Sequence, residues 1–451
     1  MSRVVTIVAL LFLLAPCRSA RAEEPAPDPS RGETYDGLPH RPGWRDDVKL
    51  VPRLVLTPMR GVFRGIGWVA HKLLDWDEVN RVHETVFEAF STDDGKIGVR
   101  PAFQYSISFT PVVGLRFFDQ KLLGPSTNFE AQFLTGGVNV IYAEVHARPT
   151  PNERAFQASI NAIYNRRNDQ VFTGIGYTTD DKRTVTVGSR YAVDSLDAGG
   201  LISTPLAPGL YVDAAGGFGL RRFGNGIHIA DEPPIADIYC VRDLSGLCKL
   251  GTVDEVRVPG FNRGTQFFRA GATIRVDSRD NWYRPSSGAL IEAGLDWTHG
   301  LGFDTSHYVR AHAAVSAVLD LWQRSRTIVI RFEFNDVEPI SGQPVPFTEL
   351  ISLGGPDTFR GFRPGRFRNY SSVFAAAEYR WPIWMWMDAT IFTEYGGVFG
   401  RAFEGFALER MKPDVGAGIR VRSSDAFFAR AQFAYGWGDR WQFFFSVNTG
   451  L

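Results

Sequence analysis

From about residue 97 onward the chain alternates apolar and polar residues one by one, and nothing else in it constrains the fold so tightly. In residues 268–277, Phe268, Ala270, Ala272, Ile274 and Val276 alternate with Arg269, Gly271, Thr273, Arg275 and Asp277. In residues 327–335, Ile328, Ile330, Phe332 and Phe334 alternate with Val329, Arg331, Glu333 and Asn335. In residues 156–165, Phe156, Ala158, Ile160, Ala162 and Tyr164 share one face, with Ile163 the exception on the other. A period of two belongs to a strand with one apolar and one polar face. Read this way, strands fall over roughly 97–107, 111–119, 127–135, 138–147, 155–165, 184–203, 208–222, 265–277, 287–298, 305–319, 326–337, 371–381, 386–396, 413–422, 425–437 and 441–451. That is 16 strands, an even number, as a single-chain barrel with both ends on one side requires. The longest connections, 223–264 and 338–370, both follow odd-numbered strands and so emerge at the same end.

Alternation alone does not say which face is wet. A sandwich buries its apolar face, whereas a membrane barrel turns it to lipid and lines a lumen with the polar one. Other features favour the barrel. Arg3, the apolar run from Val4 to Ala15 and the Ala20-Arg21-Ala22 site read as a secretory leader over residues 1–22. Aromatic residues are 13% of the chain, and Tyr379, Trp381, Trp384 and Trp386 cluster at strand ends like an interfacial girdle. Lys and Arg total 49 against 49 Asp and Glu, so neither a basic nucleic-acid binder nor an acidic tail is expected. Residues 23–48 read as a flexible periplasmic tail. Residues 49–95 show helical spacing at Met59, Val62, Phe63, Ile66, Val69, Ala70, Leu73 and Leu74. That segment packs on the main domain or lies as a lid or interfacial helix against lipid. The expectation is an all-β, 16-stranded antiparallel transmembrane β-barrel over residues 96–451, with a short N-terminal helical segment. It would be a monomer in the outer membrane of a Gram-negative bacterium, surrounded by outer-membrane lipid including lipopolysaccharide.

Several segments resemble the outer-membrane assembly-barrel superfamily of the BamA/TamA type, the bacterial surface antigen barrels. The most specific is Gly354-Gly355-Pro356-Asp357-Thr358-Phe359-Arg360-Gly361-Phe362-Arg363. It is similar to the tip of the family's long loop that folds back into the lumen, with Phe359, Arg360, Gly361 and Phe362 as the motif. Phe392-Thr393-Glu394-Tyr395-Gly396 resembles the family's aromatic-x-acid-x-Gly strand, with Glu where Asp is usual. Glu378-Tyr379-Arg380-Trp381-Pro382-Ile383 resembles the strand before it. Asp277-Ser278-Arg279-Asp280 with Pro285-Ser286-Ser287-Gly288 resembles a periplasmic turn, and Gly416, Gly418 and Arg420 match on an inward strand face. Parity puts Glu378 and Glu394 on the lumen side. An Arg carries five donors in a planar fork suited to carboxylates, so Arg360 is expected to meet both acids. Helical spacing in the N-terminal stretch leaves no room for a POTRA domain, so the resemblance is to members lacking it.

The resemblance implies insertion, assembly or translocation of client β-barrel or secreted proteins through a lateral seam between the first and last strands. Pro101 and Gly450 mark that seam, because proline removes a ladder donor. The alternative is a passive pore or a surface-anchoring barrel. Cys240 and Cys248, eight apart in the long loop, are expected to form a disulfide in an oxidising periplasm. The 8 His fall in no nucleophile or metal motif, so no catalytic residue, metal or cofactor is expected.

Overall fold

The computed structural model describes residues 92, 96–120, 122, 127–149, 156–176, 188–229, 232–242, 248–281, 285–322, 325–340, 342–384, 387–422 and 427–447. The expected leader, tail and helical segment lie outside the described residues apart from Thr92, as does Gly450.

Strands run in chain order as β1 (Ile97–Ser106), β2 (Val112–Asp119), β3 (Thr127–Thr135), β4 (Val140–Pro149), β5 (Gln157–Phe172), β6 (Ser189–Ala207) and β7 (Leu210–Asn225). A short helix α1 (Ile235–Ile238) and the ribbon β8 (Cys240–Arg242) with β9 (Cys248–Val253) follow. Then come β10 (Thr265–Asp277), β11 (Gly288–Gly300), β12 (His307–Trp322) and β13 (Arg326–Pro339). A second ribbon, β14 (Ile351–Leu353) with β15 (Phe367–Asn369), precedes β16 (Ser371–Trp384), β17 (Met387–Phe399), β18 (Lys412–Arg422), β19 (Phe427–Gly436) and β20 (Trp441–Val447). Leaving out the two ribbons, 16 strands close into an antiparallel barrel, each beside its neighbour in sequence and β20 beside β1. The alternation in the sequence therefore gives the right strand number.

Strand lengths are uneven. β6 has 19 residues and β5 and β7 have 16, whereas β2 has 8. One end of the barrel carries tight turns such as Pro208-Gly209, where Gly209 takes φ +74° that a side chain would resist. The other end carries the long connections 226–264 and 340–370.

β5 runs beyond the stretch that alternation marks. A register shift between Arg167 and Gln170 resets its parity, so the pattern breaks while the ladder to β6 continues to Phe172. Apolar residues on the outer face stay uncovered, as at Leu115, Phe133, Ile160, Phe268, Leu295, Phe332 and Phe433. A water-facing protein does not leave so many large apolar side chains open around its girth. The buried apolar groups lie inside, where loops meet wall. One cluster joins Phe172, Tyr191, Ile235, Tyr239, Val258, Phe261 and Phe347. Another joins Leu353, Phe359, Phe362, Phe367, Phe374 and Val398.

Candidate functional site

The 340–370 connection is built to carry a compact tip. β14 and β15 pair through Ile351–Asn369, Ser352–Arg368 and Leu353–Phe367, which fixes the base of the loop. Gly354 (φ +114°), Gly355 (φ +126°) and Gly365 (φ +68°) supply backbone conformations that side chains disfavour. Phe359 adopts φ +59° without being glycine. Its ring is fully buried against Phe362 at 4.4 Å and Phe367 at 5.7 Å between centroids, and that packing offsets the backbone cost.

That packing aims Arg360 at the barrel wall. Its Nη1 donates to Glu378 Oε2 at 2.6 Å and its Nε to Glu394 Oε1 at 2.8 Å. Its backbone N–H donates to Glu394 Oε2 at 2.5 Å. The guanidinium carbon stands 3.4 Å over the Phe392 ring. One planar fork thus spans β16 and β17 while its face rests on an aromatic ring. Glu378 also accepts from Arg380 Nε at 2.6 Å and lies 3.1 Å from Arg420 Nη2, so it is held by three guanidiniums. Gly361 donates its N–H to Asp414 Oδ2 of β18 at 2.7 Å.

Close approach explains the glycines here. A Cβ on Gly361 would fall 2.6 Å from Asp414 Cβ and from the Gly436 nitrogen. One on Gly436 would fall 2.5 Å from the Phe362 ring, and one on Gly416 2.3 Å from the Phe392 ring. The lumen wall is flattened where the loop tip lands, and the ring under Arg360 lies flat because Gly416 leaves it room.

Further ion pairs brace the rest of the loop. Arg366 Nε donates to Asp439 at 3.0 Å, Arg430 meets Asp357 at 3.1 Å, and Arg363 pairs with Glu232 of the 226–264 connection. Nearer the rim, Glu349 is buried among Arg269 at 2.6 Å, Arg221 at 3.3 Å, Arg310 at 3.8 Å and the Tyr308 hydroxyl at 3.1 Å. Burial works to raise its pKa, but the guanidiniums of Arg221, Arg269 and Arg310 and the Tyr308 hydroxyl outweigh it and hold the carboxyl at about 2.

The seam of the barrel joins β1 to β20. Among the described residues it pairs Phe103–Val447, Gln104–Ser446, Tyr105–Phe445 and Ser106–Phe444. Ile107 N–H adds a bond to Phe443 O at 3.1 Å. In an antiparallel ladder alternate residues direct both backbone groups to the same neighbour. Counting back by twos from Ile107 puts the backbone of Tyr105, Phe103 and Pro101 on the β20 side. The donor that Pro101 lacks therefore belongs to the seam side of β1. Outer-face rings lie across the joint, Phe103 by Phe445 at 5.7 Å and Tyr105 by Phe443 at 6.2 Å.

The structure thus brings Phe359, Arg360, Gly361 and Phe362 together with Glu378 and Glu394. Pro101 lies in β1, remote in sequence from them, and Cys240 and Cys248 are bonded across the β8–β9 ribbon with Cα atoms 5.4 Å apart. Sequence reasoning missed Asp414, which shares the inward parity of Gly416 and Gly418 and could have been found by it. It also missed Glu232 and Arg190. Glu232 lies in a stretch without alternation, and Arg190 lies in the expected strand 184–203 but in no recognised motif.

Residues 262–451 match the family model of the Omp85 superfamily domain. Among solved structures, BamA from Haemophilus ducreyi lacking POTRA domains 1–3 is similar with a TM-score of 0.53 at 12% identity, over 78% of this chain and 70% of that one. CdiB from Acinetobacter baumannii gives a TM-score of 0.48 at 12% identity, over 78% of this chain and 59% of that one. CdiB from Escherichia coli gives 0.47 at 10% identity, over 77% and 62%. This chain therefore spans less than two thirds of either CdiB chain. No curated protein matches it. The family match over residues 262–451 agrees with the resemblance read from the motifs, and the BamA structure shares the barrel fold.

Proposed function

We propose, from the premise that this is an Omp85-superfamily outer-membrane barrel, that it passes client polypeptide sideways through the β1–β20 seam, either inserting β-barrel proteins or translocating secreted ones. The tight turns face the periplasm and the long connections face outward, among lipopolysaccharide. The barrel acts as a monomer. The observation that carries this reading is the joint itself, where the last strand closes on the first and the donor that Pro101 lacks belongs to the seam side of β1. A strand edge parted from its neighbour is what an incoming strand can pair with. The braced loop inside the lumen supports the same reading and weighs against an open pore, since the tip and its ring cluster occupy the lumen beside β16 to β19.

Locking the joint tests this. Gln104 and Ser446 face each other as a non-hydrogen-bonded pair, for which the Cα separation is about 4.5 Å, within the roughly 4.4–6.8 Å span of a disulfide. Gln104→Cys with Ser446→Cys is made in a chain whose Cys240 and Cys248 are replaced by Ser. Oxidation should abolish delivery of client proteins to the outer membrane, and reductant should restore it. Delivery unaffected by the lock would overturn the proposal and leave a passive pore or surface anchor.

A further inference from the structure

We infer that Arg190, Asp169 and Glu232 form a clamp that holds the seam closed by tying the β1–β2 turn to the loop inside the lumen; this rests on the seam being the working part. The turn, residues 107–111, is gripped by strands that are not its neighbours in the sheet. Thr110 N–H donates to Asp169 Oδ2 at 2.7 Å, and Thr110 O accepts from Arg167 Nη2 at 3.2 Å. Ser108 O accepts from Arg190 Nη2 at 2.8 Å, and Arg190 Nη1 donates to Asp169 O. The Phe109 ring lies 5.4 Å below the Arg190 guanidinium and 5.7 Å below that of Arg167. Arg167 in turn forks onto Asp169 at 2.8 and 2.9 Å.

This reach across β3 and β4 is possible because their hairpin turns back at 136–139 while β5 continues to Phe172. Arg190 is 1% exposed, so its charge needs partners inside the protein. Its carboxylate is Glu232, at 2.5 Å from Nη2 and itself buried. Glu232 pairs on its other oxygen with Arg363, three residues beyond Arg360 in the loop tip. A continuous polar path therefore runs from the turn that follows β1, through Arg190 and Glu232, to the loop that plugs the lumen.

The grip acts on the joint directly. Ile107, the first residue of the turn, makes the end bond of the seam ladder to Phe443. β1 cannot swing from β20 with its turn held at Ser108 and Thr110. Displacement of the lumen loop would withdraw Arg363 from Glu232 and loosen Arg190, so loop movement and seam opening are one linked event. Glu232 and Asp169 are positioning residues, since neither lies on the seam strands.

The readout is the seam's own state, independent of client handling. In the Gln104→Cys, Ser446→Cys chain lacking the native cysteines, the rate of disulfide formation under mild oxidant reports how often the two strands are paired. Glu232→Gln and Asp169→Asn should each slow it by about tenfold, the size allowed by leaving buried guanidiniums short of a carboxylate. Arg166→Gln, which removes an exposed pair with Asp194, should leave the rate unchanged. Each variant is first shown to keep the compact gel mobility of a folded barrel; should Glu232→Gln lose it, Arg363→Met breaks the same path from the other side. Unchanged rates in the folded clamp variants would overturn the clamp while leaving the lateral route standing. Slowed rates with a harmless lock would do the reverse.

Discussion

Arg360 is the one cation reaching Glu394 by hydrogen bonds among the described residues, whereas Glu378 keeps Arg380 and Arg420 without it. Removing it leaves Glu394 and Asp414, both nearly fully buried, without that guanidinium. Arg360→Ala should therefore destabilise the barrel by about 3–5 kcal/mol, the usual cost of stranding a buried partner. Arg360→Lys should fall between, because a point charge cannot fork onto two acids and lie flat on Phe392. Urea unfolding in detergent micelles measures both, and equal stability of all three proteins would refute the assignment. At this scale the motif residues were readable because strand parity assigns each wall residue to one face. Glu378 and Glu394 needed only that rule. Asp414 obeys it too but stands outside the recognised motifs. The space requirement at Gly361 and Gly436 is invisible in sequence, since it arises where two distant segments touch.

Among elements, the 340–370 connection departs furthest from an ordinary loop, with its own ribbon, its own ring cluster and anchors on several strands. Glu349 pins its first half to β7, β10 and β12. Its folded pKa of about 2 lies below the unfolded value of about 4.3, so its contribution is full above about pH 4.3 and fades as pH falls through 2. The difference amounts to about 3 kcal/mol. Denaturant unfolding between pH 5 and pH 2 should show a shallower loss of stability in Glu349→Gln than in the parent chain. Identical slopes would mean the carboxyl is not held this way. Strands were legible wherever one face meets lipid and the other water, as in β10 and β13. β5 was readable only to residue 165, because the shift at Arg167 and Gln170 breaks the period without breaking the ladder. The β8–β9 ribbon and α1 gave no periodic signal, being held by the cluster around Phe347 and a disulfide rather than by a two-faced environment.

For the whole molecule, the count of strands followed from alternation, and closure of the sheet followed once the leader and the aromatic girdle favoured a membrane setting, because sixteen two-faced segments there have no other way to hide their edges from acyl chains. That the long connections share one end of the barrel followed from parity. The bracing of the outer loops against one another did not, since those contacts join segments with no repeating pattern. One global property remains in the uneven strands. Eight residues of β2 rise about 27 Å along the strand, and at a tilt near 40° that is about 20 Å along the bilayer normal, short of a hydrocarbon core of about 30 Å. β6, with 19 residues, overshoots the same thickness. Refolding should therefore be faster and more complete in vesicles of short-chain lipid than in those of long-chain lipid, and an indifference to chain length would contradict the strand lengths. The flank next to the joint is a low bank in a deep pool: fatty tails there must tilt, shorten or disorder to keep it covered.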